Sequence, residues 1–283
     1  MPDLDSLERA IERHFSSTAS ALDADAALAD FLQLRSALER GELRAASPDV
    51  NAPTGWRVNA WVKQGILLGF RLGVLERTQA GALTFVDKHT FPARPFGVED
   101  GVRVVAGGSS VRAGAHVARG VICVPPMYVN TGAFVDEGAL IDSHALVGSC
   151  AQIGKRVHLS AAAQVGGVLE PVNASPVIIE DDVLVGGNCG VYEGTIVRKG
   201  AVLAAGTILT RGTPVFDLVS GEILRATADL PLIVPANAVV VPGSRALTKG
   251  KGAEWSLGLY APVIVKYRDE KTSLSTALED LLR

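Results

Sequence analysis

The chain has 283 residues, enough for one large domain or two small ones around a sizeable core. Hydrophobic residues make up 48% and charged residues 20%, which excludes a disordered or tail-like chain. The 27 Lys+Arg against 30 Asp+Glu leave a net charge of −3 with no strongly basic segment, so nucleic acid is excluded as a natural partner.

Aromatics are only 5%, while the 30 glycines are about a tenth of the chain, against a usual share of about 7%. The core must therefore be built from small and branched aliphatic side chains, with frequent turns. The three cysteines, Cys123, Cys150 and Cys189, are an odd number without CxxC spacing. That argues against a disulfide framework or a zinc knuckle and fits a reducing cytoplasm. The N-terminal MPDLDSLERAIERHF is acidic and amphipathic rather than a secretion signal. No apolar run reaches the roughly 18 residues of a membrane span. A soluble, cytoplasmic protein without a membrane partner is the expectation.

In chain order, residues 4–15 and 26–40 read as amphipathic helices, carried by Leu4, Leu7, Ile11 and Phe15, then by Leu28, Phe31, Leu32, Leu34 and Leu38. Gly41 is a natural stop for the second. Asn59 to Leu72 (NAWVKQGILLGFRL) reads as a third, largely buried helix. Pro92, Pro95 and Gly97 mark a connector.

From Val111 an aliphatic or small apolar residue returns every six positions: 111, 117, 123, 129, 135, 141, 147, 153, 159 and 165. The phase slips by two across Glu170 to Pro176 and resumes at 179, 185, 191, 197, 203, 209 and 215, giving 17 hexads. The residue three after each aliphatic is often Gly, and the residue four after is usually small, as at Ala133, Ala139 and Ala145. A helix repeats at 3.6 and a plain strand at 2. Period six predicts a short strand plus a tight corner, stacked as the wall of a parallel β-solenoid. After Asp217 the hexads stop. Val239–Val241 and Ala261–Tyr267 read as strands around a Lys/Gly-rich loop, Lys249–Gly252, and Thr272–Leu282 as a closing helix. The expected division is an N-terminal helical domain (1–100), a solenoid (101–217) and C-terminal strands with a terminal helix (218–283).

The pattern resembles the hexapeptide-repeat acyltransferases, whose left-handed parallel β-helix sets three hexads per triangular coil. The resemblance thus implies nearly six coils. Longer words narrow it. YVNTGAFVDEGALIDSHALVGSCAQIGKRVHLS (128–160), VGGVLEPVNASPVIIEDD (165–182) and GVYEGTIV (190–197) closely resemble tetrahydrodipicolinate N-succinyltransferases, as do NAWVKQGILLGFRL, GVRVV (101–105) and APVIVKY (261–267). The likeness covers most of the chain. It implies transfer of a succinyl group from succinyl-CoA to the amine of ring-opened tetrahydrodipicolinate, a step of lysine and diaminopimelate biosynthesis. It also implies a homotrimer with sites between subunits, succinyl-CoA as co-substrate, and neither a metal nor a permanently bound cofactor. Two other readings stay open: an acetyl-CoA-dependent N-acyltransferase on the same or a similar acceptor, and a non-catalytic scaffold.

The chemistry needs a base or orienting group at the amine, a cation for the acceptor carboxylates, and basic residues for CoA phosphates. Asp142 matches the family aspartate of the Ile-Asp word, and Arg103 the arginine expected to clamp a carboxylate. Glu170 opens the phase-breaking insertion, where a loop presents binding residues. Ala204, Ala205 and Gly206 offer a small-residue track for a pantetheine arm. Lys199, Arg211, Lys249 and Lys251 are candidates for the phosphates. The sequence also departs from the family pattern. The glutamate that the resemblance pairs with the aspartate is replaced by Gly190, an arginine two residues upstream by Asn188, and a tryptophan after the aspartate by His144. Either Asp142 suffices, or Glu193 or His144 takes part. Of the remaining histidines, His14 and His89 lie outside the hexads. His116 and His158 share a hexad slot but lie 42 residues apart, which puts them on different faces. They read as surface or interface side chains rather than zinc ligands.

Overall fold

The computed structural model describes residues 4–81 and 83–268. The helix expected at Thr272–Leu282 lies outside the described residues. Helices α1 (Leu4–Ser16), α2 (Ala24–Glu39) and α3 (Ala60–Leu72) form where the apolar periodicity places them. Asp23 caps α2 by accepting a hydrogen bond from the Ala26 N–H at 3.1 Å. Ile11, Phe31, Leu34, Ile66 and Leu68 bury together between the three helices. On α3, a Cβ at Gly65 or Gly69 would fall 2.2 Å from Leu34 or Phe31, so glycine lets α2 rest on the α3 backbone. Gly41 ends α2 at φ +75°, and the His116 ring packs within 3 Å of where its Cβ would stand. One glycine thus closes a helix and admits a side chain of the next unit.

The N-terminal region is not purely helical as expected. It also holds a ribbon of β1 (Ala46–Pro48) and β2 (Trp56–Val58), and a hairpin of β3 (Leu75–Ala80) and β4 (Leu83–Lys88). The hairpin is exposed along nearly its whole length, so it carries no alternation of buried and exposed residues for the sequence to reveal.

From Arg103 the chain runs as two-residue parallel strands on three faces, and the molecule is mainly β. The first face begins at Ser110–Val111, the second at His116–Val117 and the third at Arg103–Val104. Each strand pairs with the strand one coil on: Phe134 meets Gln152 and Val135 meets Ile153, 18 residues apart. The second residue of each strand points inward, and the whole aliphatic series from Val111 to Leu209 is buried. The small residues four places on fill the same interior. Thr195 and Thr207 stand in that slot because their hydroxyls return to the carbonyls of Tyr192 and Ala204, at 2.8 and 2.7 Å.

The slot three after each aliphatic is the corner, and in most coils it takes left-handed φ. Gly194 has φ +74°, and non-glycine residues such as His144 (+61°) and Asn188 (+55°) adopt the same conformation. Pro126, Val168 and Gly212 are the exceptions: the proline ring forbids positive φ, and at Val168 and Gly212 the chain leaves the coil.

Two excursions break the 18-residue register. Gln152 pairs with Ile178, 26 residues on, so the two-residue phase slip is a loop bulging out after Val165. Ile196 pairs with Ile233, 37 residues on, because the chain departs after Leu209 and returns. The hexad expected at Val215 therefore does not stack. Val215–Asp217 instead pairs with Ile223–Leu224 and Val263–Tyr267, and its place in the second face is taken by Ile233–Val234. Val239–Val240 likewise extends the third face above Val202–Leu203. The Lys/Gly-rich stretch expected as a loop forms a short helix, α4 (Gly250–Glu254), inside a hairpin of Ser244–Ala246 and Gly258–Tyr260.

The N-terminal unit covers the second face. The Arg44 guanidinium lies 3.7 Å over the Phe134 ring and donates to Gln152 Oε1 at 2.9 Å. Burial pushes its pKa down to about 10. Glu180 accepts from Trp56 Nε1 and pairs with Arg198 at 2.6 Å. His116 accordingly lies in this interface, with Nδ1 2.9 Å from the Glu39 carbonyl, while His158 belongs to the third face.

The corners make a testable contrast. Gly194 and Gly206 both have positive φ, but a Cβ at Gly194 would stand 2.6 Å from the Ser175 carbonyl oxygen, whereas at Gly206 it meets nothing within 4 Å. Gly206→Ala should cost about 1–2 kcal/mol, the left-handed penalty alone. Gly194→Ala should cost more, because backbone must move, and denaturant unfolding of the two variants compares them.

Candidate active site

Both excursions leave at the corner between the first and second faces, two coils apart. Between them lies the tight corner Tyr192–Glu193–Gly194. The space enclosed is a cavity of about 950 Å³, within the usual range for a ligand site. The first excursion contributes Glu170, Asn173 and Ser175, the second Arg211 and Asp229, and the corner supplies the floor.

Each wall is pinned by a cation to backbone. Lys63 of α3, fully buried, donates from Nζ to the Ala174 carbonyl at 2.6 Å, and burial pushes its pKa down. Arg211 donates from one guanidinium nitrogen to the carbonyls of Thr227 and Ala228. Its backbone N–H donates to Glu193 Oε2 at 2.8 Å. The structure thus brings Glu170, Glu193 and Arg211 to one cavity, although the Arg211 guanidinium is tied to carbonyls of its own wall.

Asp142 lies on another corner, between the third and first faces. It is half-buried, and its Oδ1 accepts the Ser143 N–H at 2.7 Å. His144, exposed, donates its N–H to the Pro126 carbonyl at 2.6 Å. The same column continues through Ala162, Asn188 and Gly206, each tied by its N–H to the coil below. Asp142 and the Ala204–Gly206 stretch therefore share one edge of the prism, apart from the cavity. Arg103 stands exposed at the start of the third face.

The lysines scatter. Lys199 lies 3.8 Å from Asp182 on the remaining corner. Lys251 pairs with Glu254 at 2.7 Å, and Lys249 precedes α4, exposed. The three cysteines are free and buried, and burial pushes the Cys123 and Cys150 thiols up to about 12 and Cys189 to about 11.

Gly190 occupies the outward slot of the first face between Gln164 and Ile208. A Cβ there would lie 2.4 Å from the Tyr192 ring and 2.9 Å from its hydroxyl oxygen. At Gly166, one coil below, a Cβ would lie 2.8 Å from the same ring. Two glycines therefore make room for one phenol at the cavity floor. Among the described residues Tyr192 bonds through its backbone, to Leu209 and Thr195, and not through its hydroxyl.

The model of the tetrahydrodipicolinate N-succinyltransferase N-terminal family matches residues 6–72, and that of the hexapeptide repeat of succinyl-transferase matches 176–211. The 2,3,4,5-tetrahydropyridine-2,6-dicarboxylate N-succinyltransferase of Acinetobacter baylyi is 40% identical over 98% of this chain and 97% of its own. That of Legionella pneumophila is 41% identical over 99% and 98%, and that of an Azoarcus species 43% over 98% of both. The chain belongs to this family. Its members are acyltransferases by name, and the two matched stretches here are the helices that carry Lys63 and the coils between the two excursions. Neither Lys63 nor Tyr192 was singled out by the sequence reading of this succinyltransferase. A lysine inside the apolar run of α3 was the available sign for the first, and a glycine two residues before a tyrosine for the second.

Lys63→Met keeps the side-chain volume and removes the buried charge. The native pKa lies below the unfolded one, so between the two the unfolded chain holds more protons and stability rises with pH. The stability of the wild type minus that of the variant should therefore climb as pH approaches 10.5. Proteolysis within 166–176 should quicken in the variant as the Ala174 anchor is lost.

Proposed function

We propose that this chain is a CoA-dependent N-succinyltransferase of lysine and diaminopimelate biosynthesis, acting in the cytoplasm on ring-opened tetrahydrodipicolinate. The acceptor amine attacks the thioester carbon of succinyl-CoA and a C–N bond forms. The carbon–sulfur bond then breaks, the amine gives up its proton, and CoA leaves as the thiol. The observation that carries this reading is identity of 40% or more along nearly the whole of both chains with proteins named for the activity.

In this reading the coil is left-handed and the enzyme is a homotrimer with sites between copies. The separation of the candidate residues supports the assembly. Glu170 and Glu193 lie on one corner, Asp142 and Ala204–Gly206 on another, and one prism cannot fold its own edges together. A neighbouring copy laid against the cavity supplies the second edge. Asp142 takes or orients the amine proton, and Arg103 holds an acceptor carboxylate. The corner at Ala205, exposed beside Gly206, lets the pantetheine arm approach backbone. Lys199, Lys249 and Lys251 remain the candidate cations for CoA phosphates, with Arg211 at the cavity wall. No resident cofactor is needed, because the thioester carries its own activation.

A panel of succinyl-, acetyl- and longer acyl-CoA donors, read by thiol release, tests the reaction. Succinyl-CoA should be preferred. An acetyl preference would replace the donor, and no thiol release with any donor would leave a scaffold.

Asp142→Asn should lower turnover about 10²–10⁴-fold, the usual worth of general-base catalysis, while succinyl-CoA still binds. Normal turnover in this variant, with Glu193→Gln inactive, would move the role to Glu193. Arg103→Ala should raise the KM for the acceptor and leave CoA affinity unchanged, whereas equal loss of both would point to a folding defect.

A further inference from the structure

We infer that Tyr192 orients the acceptor amine, its hydroxyl oxygen accepting a hydrogen bond from the amine N–H at the floor of the cavity. The inference rests on the reading above that this cavity receives the acceptor.

Three observations carry it. The ring is laid flat by two glycines, Gly166 and Gly190, at positions where any Cβ would strike it. A phenylalanine ring would pack in the same place, so packing does not account for the hydroxyl. Tyr192 lines a ligand-sized cavity, and its hydroxyl has no protein partner among the described residues. A hydroxyl both donates and accepts, so it suits a neutral amine that must keep its lone pair free for attack.

The charges that line the cavity point to an amine rather than a carboxylate. Glu170, Glu193 and Asp229 line the cavity against a single guanidinium, Arg211, already engaged with two carbonyls. Such a wall attracts the amino end of a zwitterionic acceptor and repels its carboxylates, which must point outward. Gly190 is the place where the family resemblance implies a glutamate. Here the phenol oxygen comes within 2.9 Å of the Cβ position that such a side chain would start from.

The test compares two seven-carbon dicarboxylates that differ by one amine, 2-aminopimelate and pimelate, binding to the full-length enzyme by calorimetry. The wild type should favour the aminated ligand. Tyr192→Phe should cut that preference about 3–10-fold, the worth of one neutral hydrogen bond, and leave pimelate binding unchanged. Gly190→Ala, which keeps the hydroxyl but pushes the ring aside, should cut it similarly. An unaltered preference in Tyr192→Phe, equal loss for both ligands, or a wild type without preference would each overturn the inference. Thiol release from succinyl-CoA by the wild type is measured alongside. A wild type that discriminates the ligands but releases no thiol would sink the reaction and spare Tyr192. An active wild type with an unaltered preference in Tyr192→Phe would do the reverse.

Discussion

The structure depends on one register: each two-residue strand pairs in parallel with the strand one coil away, with its second side chain turned inward. That pairing satisfies the backbone groups of the strands and stacks Val, Ile and Leu into continuous interior ladders. Because each coil touches chiefly its neighbours, the order is one-dimensional. The corners then have to be tight, and left-handed φ at the corner slot follows, whether the residue is Gly194 or His144. Every element of the candidate site is placed by counting around this coil.

The ladder was legible because its cause is local and repeats. So were α3, with its glycines, and the helix stop at Gly41. The hairpin at Leu75–Lys88 was not, because neither of its sides is buried and alternation has nothing to follow. Val215 shows the opposite failure. It keeps the hexad spacing and is buried, yet its strand pairs outside the stack, and Val234 returns to the vacated place after a long detour. Spacing predicts that a strand fits, while pairing is decided by which segment comes back.

At the site, sequence reasoning found Glu170, Glu193 and Arg211 for separate reasons, and the coil unites them because each lies at the corner following the first face. Asp142 and Ala204–Gly206 follow the third face and so share the other edge. Tyr192 escaped notice because Gly190 reads in sequence as a lost side chain. In three dimensions the missing Cβ is the space that the phenol fills. Arg211 and Lys63 hold backbone carbonyls where a reading by charge alone expects ligand contacts or solvent. Such bonds depend on partners far apart in the chain, and no motif announces them.

Both excursions begin from the same corner, and the coil resumes its pairing after each as though nothing had intervened. The interior is therefore indifferent to how much chain is spliced in at that edge. Evolution can lengthen or shorten either wall, and so reshape what the cavity admits, without repacking a single ladder residue. The spine and the mouth of this enzyme are free to change at different rates.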